Sequence, residues 1–264
     1  MQRSGALIRR SLAWLARKRR PQQVLTVLGM HRSGTSLLTG TLQEAGLVLG
    51  DVVTAAPHNR KGNRESLPIR TLHDDLMQRA GGDWDRPPEQ VTWQPVHNAL
   101  RDAVIASHAT DRFWGFKDPR TLFCLEGWLD VLPQLQMVAI VRHPEAVARS
   151  LQARNGMPLA DGLELWRLYN SRLLHWLEGE PAMPLLHFDD DLNRFCRDVA
   201  ALIPSLNLPR RLRADALRFP DAALQHQKAG AESLTPPVEG LYRQLLERRF
   251  NPCSPQETPG SPDL

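Results

Sequence analysis

Short apolar runs alternate with longer polar segments along most of the chain. The runs are rich in Val, Ile, Leu and Phe, and several end in glycine or a charged residue, a composition typical of buried strands. They leave room for a short extra strand at Leu47–Leu49 and predict four main strands: Val24–Leu28, Phe113–Phe116, Met137–Val141 and Met183–Phe188.

The segments between these strands carry apolar residues at the spacing of helices. The acidic cluster after the last strand indicates a further helix start, with Asp189 or Asp190 as its cap. Because strands and helices alternate, the sequence predicts an α/β fold, a three-layer α/β/α arrangement around a central parallel sheet. The predicted helices are Thr35–Ala45, Leu67–Arg79, Pro95–Ser107, Leu122–Val131, Pro144–Ala153, Asp161–Leu177 and Leu241–Arg249.

Composition adds size and charge to this pattern. The chain has 264 residues, of which 42% are hydrophobic, and a formal net charge of +4. It is long enough to bury a large core, and its charge favours an acidic ligand or partner. We expect a single α/β domain over residues 23–250. A basic amphipathic leader, residues 1–22, precedes it, and a disordered tail rich in Pro, Ser and Gly, residues 251–264, follows it.

The cysteines and the apolar runs are informative about the cellular location of the protein. Cys124, Cys196 and Cys253 are isolated, so the sequence predicts neither a zinc site nor a disulfide framework, and a reducing cytoplasm fits best. No apolar run approaches the roughly 18 residues of a membrane span. The basic leader leaves open a weak contact with a membrane surface. No nucleic-acid recognition motif is evident.

The strongest chemical signal is the turn between the first strand and the first helix. It reads Gly29-Met30-His31-Arg32-Ser33-Gly34-Thr35-Ser36, the strand–loop–helix order of a P-loop that cradles phosphate. Thr35 occupies the position of the lysine that reaches the β- and γ-phosphates of a nucleoside triphosphate, and the cation is Arg32. The turn therefore predicts phosphate binding through backbone amides and Arg32, in a site poorly built for an ATP γ-phosphate.

A second phosphate-binding candidate follows the third strand. That strand ends at Arg142, and Pro144 suits the start of the next helix. Ser150 lies about two turns into this helix, so its hydroxyl can face back toward the strand end. Arginine suits phosphate because its planar fork donates two hydrogen bonds. An ATP-dependent enzyme would be expected to hold Mg²⁺ with an aspartate here, so Arg142 predicts metal-independent chemistry.

These motifs, in this order, resemble the sulfotransferases that use 3′-phosphoadenosine 5′-phosphosulfate (PAPS), in their bacterial and carbohydrate-acting branch. The resemblance covers about residues 24–226 and implies a P-loop-type fold with PAPS as cosubstrate and no metal. It implies that the turn holds the 5′-phosphosulfate and that the third strand and its helix hold the 3′-phosphate. The implied cofactor-binding residues are Arg32, Ser33, Gly34, Thr35, Ser36, Arg142 and Ser150.

The resemblance also implies how the sulfuryl group is handled. The K-D-P-R arrangement at Lys117–Arg120 resembles this family, and Lys117 stands at the carboxyl end of a strand, where open α/β sheets bind ligands. Lys117 and Arg32 are therefore the expected catalytic cations.

The expected catalytic base is Glu65. The segment before it matches the family pattern N-x-x-G-x-x-E at Asn59, Gly62 and Glu65, and a glutamate in this region is the base in related enzymes. Proton removal from an acceptor hydroxyl needs a carboxylate or an imidazole in the cleft. His58, His31 and Asp118 are therefore alternatives, because the sequence does not rank their pKa values.

The acceptor is less defined than the donor. The variable acceptor loops are expected at Asp51–Arg64, Gly81–Trp93 and Arg154–Leu163, and they suit a glycan, a lipid head group or a peptide. A saccharide is favoured by analogy with the family. Two other functions stay open: a P-loop kinase or NTPase using ATP and Mg²⁺, and a catalytically silent protein of the same fold that binds a nucleotide or an anionic glycan.

Overall fold

The computed structural model describes residues 20–55, 61–188, 191–220 and 234–252. Several sequence predictions fall outside these ranges. They concern most of the leader and of the tail, the alternative base His58, the motif residue Asn59, and the proposed caps Asp189 and Asp190.

Four parallel strands form one sheet, in the order β2-β1-β3-β4. Strand β1 pairs with β2 on one side, where Val24 lies opposite Trp114, and with β3 on the other, where Leu25 lies opposite Gln136. The predicted α/β class and parallel sheet are confirmed. The strands are β1 Gln23–Leu28, β2 Phe113–Lys117, β3 Gln136–Arg142 and β4 Leu185–Phe188.

The short extra strand allowed at Leu47–Leu49 is a single bridge. Val48 donates its amide to the Phe113 carbonyl and accepts from the Gly115 amide, each at 2.8 Å, and the pairing extends no further. Leu47 and Leu49 are buried on either side of this bridge, so the apolar run reflects packing rather than a full strand.

The helices follow the predicted pattern closely. Proline occupies the first turn of α2, α3, α5 and α8, where its missing N–H is tolerated. For this reason the last helix begins at Pro236, five residues before its predicted start. The helices are α1 Thr35–Glu44, α2 Leu67–Arg79, α3 Pro95–Ser107, α4 Thr121–Leu129, α5 Pro144–Asn155, α6 Leu159–Gly179, α7 Leu192–Leu202 and α8 Pro236–Glu247.

Alternate residues of each strand face opposite sides of the sheet and build two cores. Val24 and Leu28 of β1 pack in one core with residues of α2 to α6 and α8. Leu25 and Val27 pack in the other core with residues of α1 and α7. Both faces of the sheet are covered, as parallel sheets require.

The strand order positions a crevice at the carboxyl ends of β1 and β3. The chain leaves β1 for α1 on one face of the sheet and leaves β3 for α5 on the other, as their membership of different cores shows. Open α/β sheets bind ligands at such a switch point, because the two diverging loops leave a crevice between them. The loop at residues 29–34 and the start of α5 border this crevice.

Helix α7 is capped by Asp191, so the prediction of Asp189 or Asp190 as its cap is wrong. The Asp191 side chain accepts a hydrogen bond from the Arg194 amide at 3.0 Å. Phe195, Val199 and Leu202 are buried, and this apolar spacing fixes where the helix begins among three consecutive aspartates.

Replacing Asp191 with alanine should cost about 1 kcal/mol of stability, because the Arg194 amide loses its acceptor. For a chain of this size we expect the melting temperature to fall by about 2–4 °C. Asp191→Asn keeps a capping oxygen and is the matched control. An equal loss in both variants, measured by calorimetry, would show that the cap is not the cause.

Candidate functional site

The loop after β1 passes very close to β3. Gly29 has φ +150°, and a Cβ there would lie 2.4 Å from the carbonyl oxygen of Ile140. Gly34 has φ +90°, with side-chain atoms of Ile140 and Phe188 at 3.2 Å from where its Cβ would be. Gly29 is required because a Cβ there would collide with the β3 backbone, and Gly34 because its φ is one that other residues rarely adopt.

Helix α1 presents an uncapped N-terminus to the crevice. Gly34 is its N-cap, and no side chain within the described ranges satisfies the first-turn amides. The Ser33 hydroxyl is buried and has no hydrogen-bond partner within those ranges, whereas Ser36 donates to the Asn63 carbonyl at 3.0 Å. Uncapped amides, the helix dipole and an unpaired buried hydroxyl together favour an anion.

The predicted phosphate-binding residues meet at this point. Arg32 Nε donates to Ser150 Oγ at 2.8 Å, and Arg142 Nη1 approaches the Arg32 carbonyl oxygen at 3.4 Å. Ser150 and Arg142 are almost fully buried. The structure therefore brings together the cation of the loop, the end of β3 and the second turn of α5, although Ser150 contacts Arg32 and not the Arg142 side chain.

Positive charge is concentrated here. Burial, and then the charges of Arg154 and Arg142, lower the pKa of Arg32 from its ordinary value. Arginine stays protonated in proteins, so this repulsion is a cost that a bound anion would relieve. Arg154 was predicted only as the first residue of an acceptor loop, whereas it lies in the last turn of α5, near Arg32. Its signal was its spacing of four residues from Ser150, which places both on one face of α5.

A buried ion pair lies at the end of β2. Lys117 Nζ donates to Glu65 Oε1 at 2.7 Å, and the two side chains are only 1% and 8% exposed. Within the described ranges Oε2 of Glu65 accepts no hydrogen bond. Lys117, the predicted catalytic cation, and Glu65, the predicted base, are therefore in direct contact.

Both carboxylate oxygens of Asp118, an alternative base, already have polar partners. Its Oδ1 accepts from the Arg120 amide and guanidinium at 3.0 and 2.9 Å, and its Oδ2 lies 3.3 Å from His73 Nδ1. Despite burial, these partners hold the pKa of Asp118 far below its usual range. Trp128 Nε1 donates to His73 Nε2, which places the His73 proton on Nδ1. Asp118 is thus a poor proton acceptor that orients Arg120.

His31, in the loop after β1, packs against two aromatic rings from other segments. Its ring centroid lies 5.1 Å from Trp84 and 5.6 Å from Tyr169, and its buried Nε2 has no hydrogen-bond partner within the described ranges. Burial, followed by the positive charges of Arg120, Lys117 and Arg154, lowers the pKa of His31 well below its ordinary value, against the opposing effect of Asp118. The imidazole is therefore neutral near pH 7.

Two features are absent from the part of the chain that the structure describes. No group of three or more His, Cys, Asp or Glu residues there could hold a metal ion. No helix there has both the length and the apolar character needed to cross a membrane.

Comparison with known proteins identifies the fold. A family model described as "Sulfotransferase family" matches residues 25–189. No curated protein sequence matches the chain.

Two solved structures share the architecture, and at these identities they show the fold alone. The sulfotransferase domain from the curacin biosynthetic pathway is 16% identical, with a TM-score of 0.53 over 86% of this chain and 98% of that one. The sulfotransferase domain of the Synechococcus PCC 7002 olefin synthase is 19% identical, with a TM-score of 0.52 over 86% of this chain and 95% of that one.

His31→Gln should reduce the loss of stability between pH 7 and about pH 5. The lowered pKa of His31 means that the unfolded chain takes up its proton first, near the ordinary value of about 6.5, so folding weakens as the pH falls. Urea unfolding at both pH values measures the difference. His175→Gln, at an exposed position on α6, should keep the wild-type loss. An unchanged loss in His31→Gln would contradict the expectation.

Proposed function

The chain belongs to the sulfotransferase family, and we propose that it transfers a sulfuryl group from PAPS to an acceptor hydroxyl. The observation that carries this proposal is the meeting of Arg32, Ser150 and Arg142 beside the open N-terminus of α1. Several hydrogen-bond donors and arginines beside an open helix N-terminus suit a polyanionic ligand, and PAPS carries both a phosphosulfate and a 3′-phosphate.

The residues around the loop fit the 5′-phosphosulfate. The backbone amides of Ser33 to Ser36 would hold it, with the unpaired Ser33 hydroxyl as a further donor. The absence of a Cβ at Gly29 and Gly34 lets the backbone lie close to the sheet, leaving the crevice to the ligand. Arg32 would supply the charge that the usual P-loop lysine supplies elsewhere.

The end of β3 fits the 3′-phosphate. Arg142 is held by its own surroundings: its guanidinium lies 5.2 Å from the Phe188 ring centroid, and its carbonyl accepts from Trp166 Nε1 at 3.0 Å. A fixed guanidinium binds phosphate at a smaller entropic cost than a mobile one. Ser150 would add a hydroxyl donor.

The proposed reaction is an in-line transfer. The acceptor oxygen forms a bond to sulfur while the bond between sulfur and the bridging oxygen of the donor breaks, and 3′-phosphoadenosine 5′-phosphate (PAP) leaves. As in phosphoryl transfer, the protein contributes positioning and charge stabilisation. Arg32 and Lys117 would stabilise the charge on the leaving oxygen. Arginine is a poor proton donor, so PAP leaves as an anion.

Glu65 is the proposed base. Its Oε1 is bound by Lys117, which fixes the side chain, and its Oε2 is left to accept the acceptor proton. Its rivals are weaker: Asp118 is engaged by Arg120 and His73, and the Nε2 of His31 is buried. His58 lies outside the described residues.

The acceptor is proposed to be a saccharide or another small or lipid-linked hydroxyl compound, by analogy with the family. We also propose that the protein works in the cytoplasm, since its cysteines form no pairing pattern and those in the described ranges, Cys124 and Cys196, are free. A peripheral membrane contact through the basic leader belongs to the same proposal.

Arg142→Ala should weaken PAP binding by about 1.5–3 kcal/mol, the usual contribution of a charged hydrogen bond. Isothermal titration without metal measures the change, and Arg243→Gln, which removes an exposed charge from α8, is the matched control. Unchanged PAP affinity in Arg142→Ala would remove Arg142 from the site. Clear binding of ATP with Mg²⁺ but not of PAP would favour a kinase or NTPase instead.

Glu65→Gln should lower turnover by about 10²–10⁴-fold and leave PAP affinity intact, because the amide cannot take the acceptor proton. PAP release from PAPS with a panel of hydroxyl acceptors measures turnover. A rate near that of the wild type would move the role to His31 or His58. PAP binding without transfer by the wild type to any acceptor would favour a silent binding protein.

A further inference from the structure

Arg154 lies beside the proposed donor site without a role in it. It belongs to the last turn of α5, one turn after Ser150, and is partly buried. Its guanidinium carbon lies 5.4 Å from the centroid of the Trp84 ring, the geometry of a cation–π contact. Its positive charge helps to lower the pKa of both Arg32 and His31.

This arginine differs from others on the helices in what it pairs with. Arg79, Arg149, Arg167 and Arg243 each form an ion pair with a carboxylate three or four residues away. Arg154 has no carboxylate partner and no hydrogen bond within the described ranges, only the ring of Trp84. Packing alone does not explain why an unneutralised charge is held next to Arg32, where like charges repel.

Trp84 holds Arg154 on the side of the site where the acceptor is expected. The Trp84 carbonyl accepts from Tyr169 Oη at 2.7 Å, which ties its loop to α6. The Trp84 ring also contacts His31, whose pKa is in turn influenced by Lys117 and Arg120 at the end of β2. Through the Trp84 ring, Arg154 on α5 is thus connected to His31 in the loop after β1.

We propose that Arg154 binds an acidic group of the acceptor, so that the preferred acceptor is a hydroxyl compound that also carries a carboxylate. The cation–π contact with Trp84 uses none of the N–H donors of Arg154 in a hydrogen bond, so these donors remain available for a bidentate pair with a carboxylate. The acidic group would offset the charge of Arg154 and orient the neighbouring hydroxyl toward Glu65. The inference rests on the proposed function.

A matched pair of sugars tests the inference. Methyl β-glucuronide and methyl β-glucoside differ only in a carboxylate against a hydroxymethyl group, and their affinities are measured by NMR titration with saturating PAP. We expect the wild type to bind the glucuronide at least tenfold more tightly. Arg154→Gln should abolish this preference, Trp84→Ala should reduce it, and Arg243→Gln should leave it unchanged. Equal affinity for the two sugars, or binding of neither, would overturn the inference.

Titration of PAP and PAPS separates this inference from the function on which it rests. Arg154→Gln should change neither affinity by more than about twofold. A loss of PAPS affinity with PAP affinity retained would assign Arg154 to the sulfuryl group of the donor, and a loss of both would assign it to the phosphates. Either result overturns the inference while leaving PAP-dependent chemistry intact. Failure of the wild type to bind PAP would remove both proposals together.

Discussion

The close approach of the first loop to the third strand is the constraint on which the site depends. Gly29 lies so near the Ile140 carbonyl that no Cβ fits between them, and this contact keeps the loop against the sheet. Only in that position can Arg32 reach Ser150 on α5 while Arg142 approaches the Arg32 carbonyl. The backbone at the end of β3 thus sets the spacing between side chains from the loop after β1, from β3 and from α5.

A second constraint is electrostatic. Lys117, Glu65, Asp118 and Arg142 are almost fully buried, and a charge removed from water is costly unless a partner compensates it. Lys117 and Glu65 compensate each other, and Asp118 is compensated by Arg120 and His73. In the loop region the charges of Arg154 and Arg142 act on Arg32, and this repulsion helps to lower its pKa. The site therefore combines paired opposite charges at the end of β2 with neighbouring arginines at the ends of β1 and β3.

Local pattern was enough to predict most of the fold. Strand and helix positions, the glycine-containing turn at Gly29–Ser36 and the strand ends at Lys117 and Arg142 all follow from short-range periodicity and residue type. The roles given to the site residues stay predictions. Long-range facts were not accessible: the strand order, the Lys117–Glu65 contact across 52 residues, and the pairing of Arg154 with Trp84 join distant segments. The cap of α7 was misassigned because three consecutive aspartates are locally equivalent, and only core packing distinguishes them.

Tyr169 of α6 fixes a loop that is not attached to any strand of the sheet. The loop between α2 and α3 that carries Trp84 follows no strand, whereas Arg32, Lys117 and Arg142 each follow one. Such a loop can change in length and sequence during divergence without disturbing strand register, provided that its tether to α6 is kept. Under the proposed function, new acceptor preferences can therefore arise in descendants of this gene while the residues proposed to bind the donor are inherited unchanged.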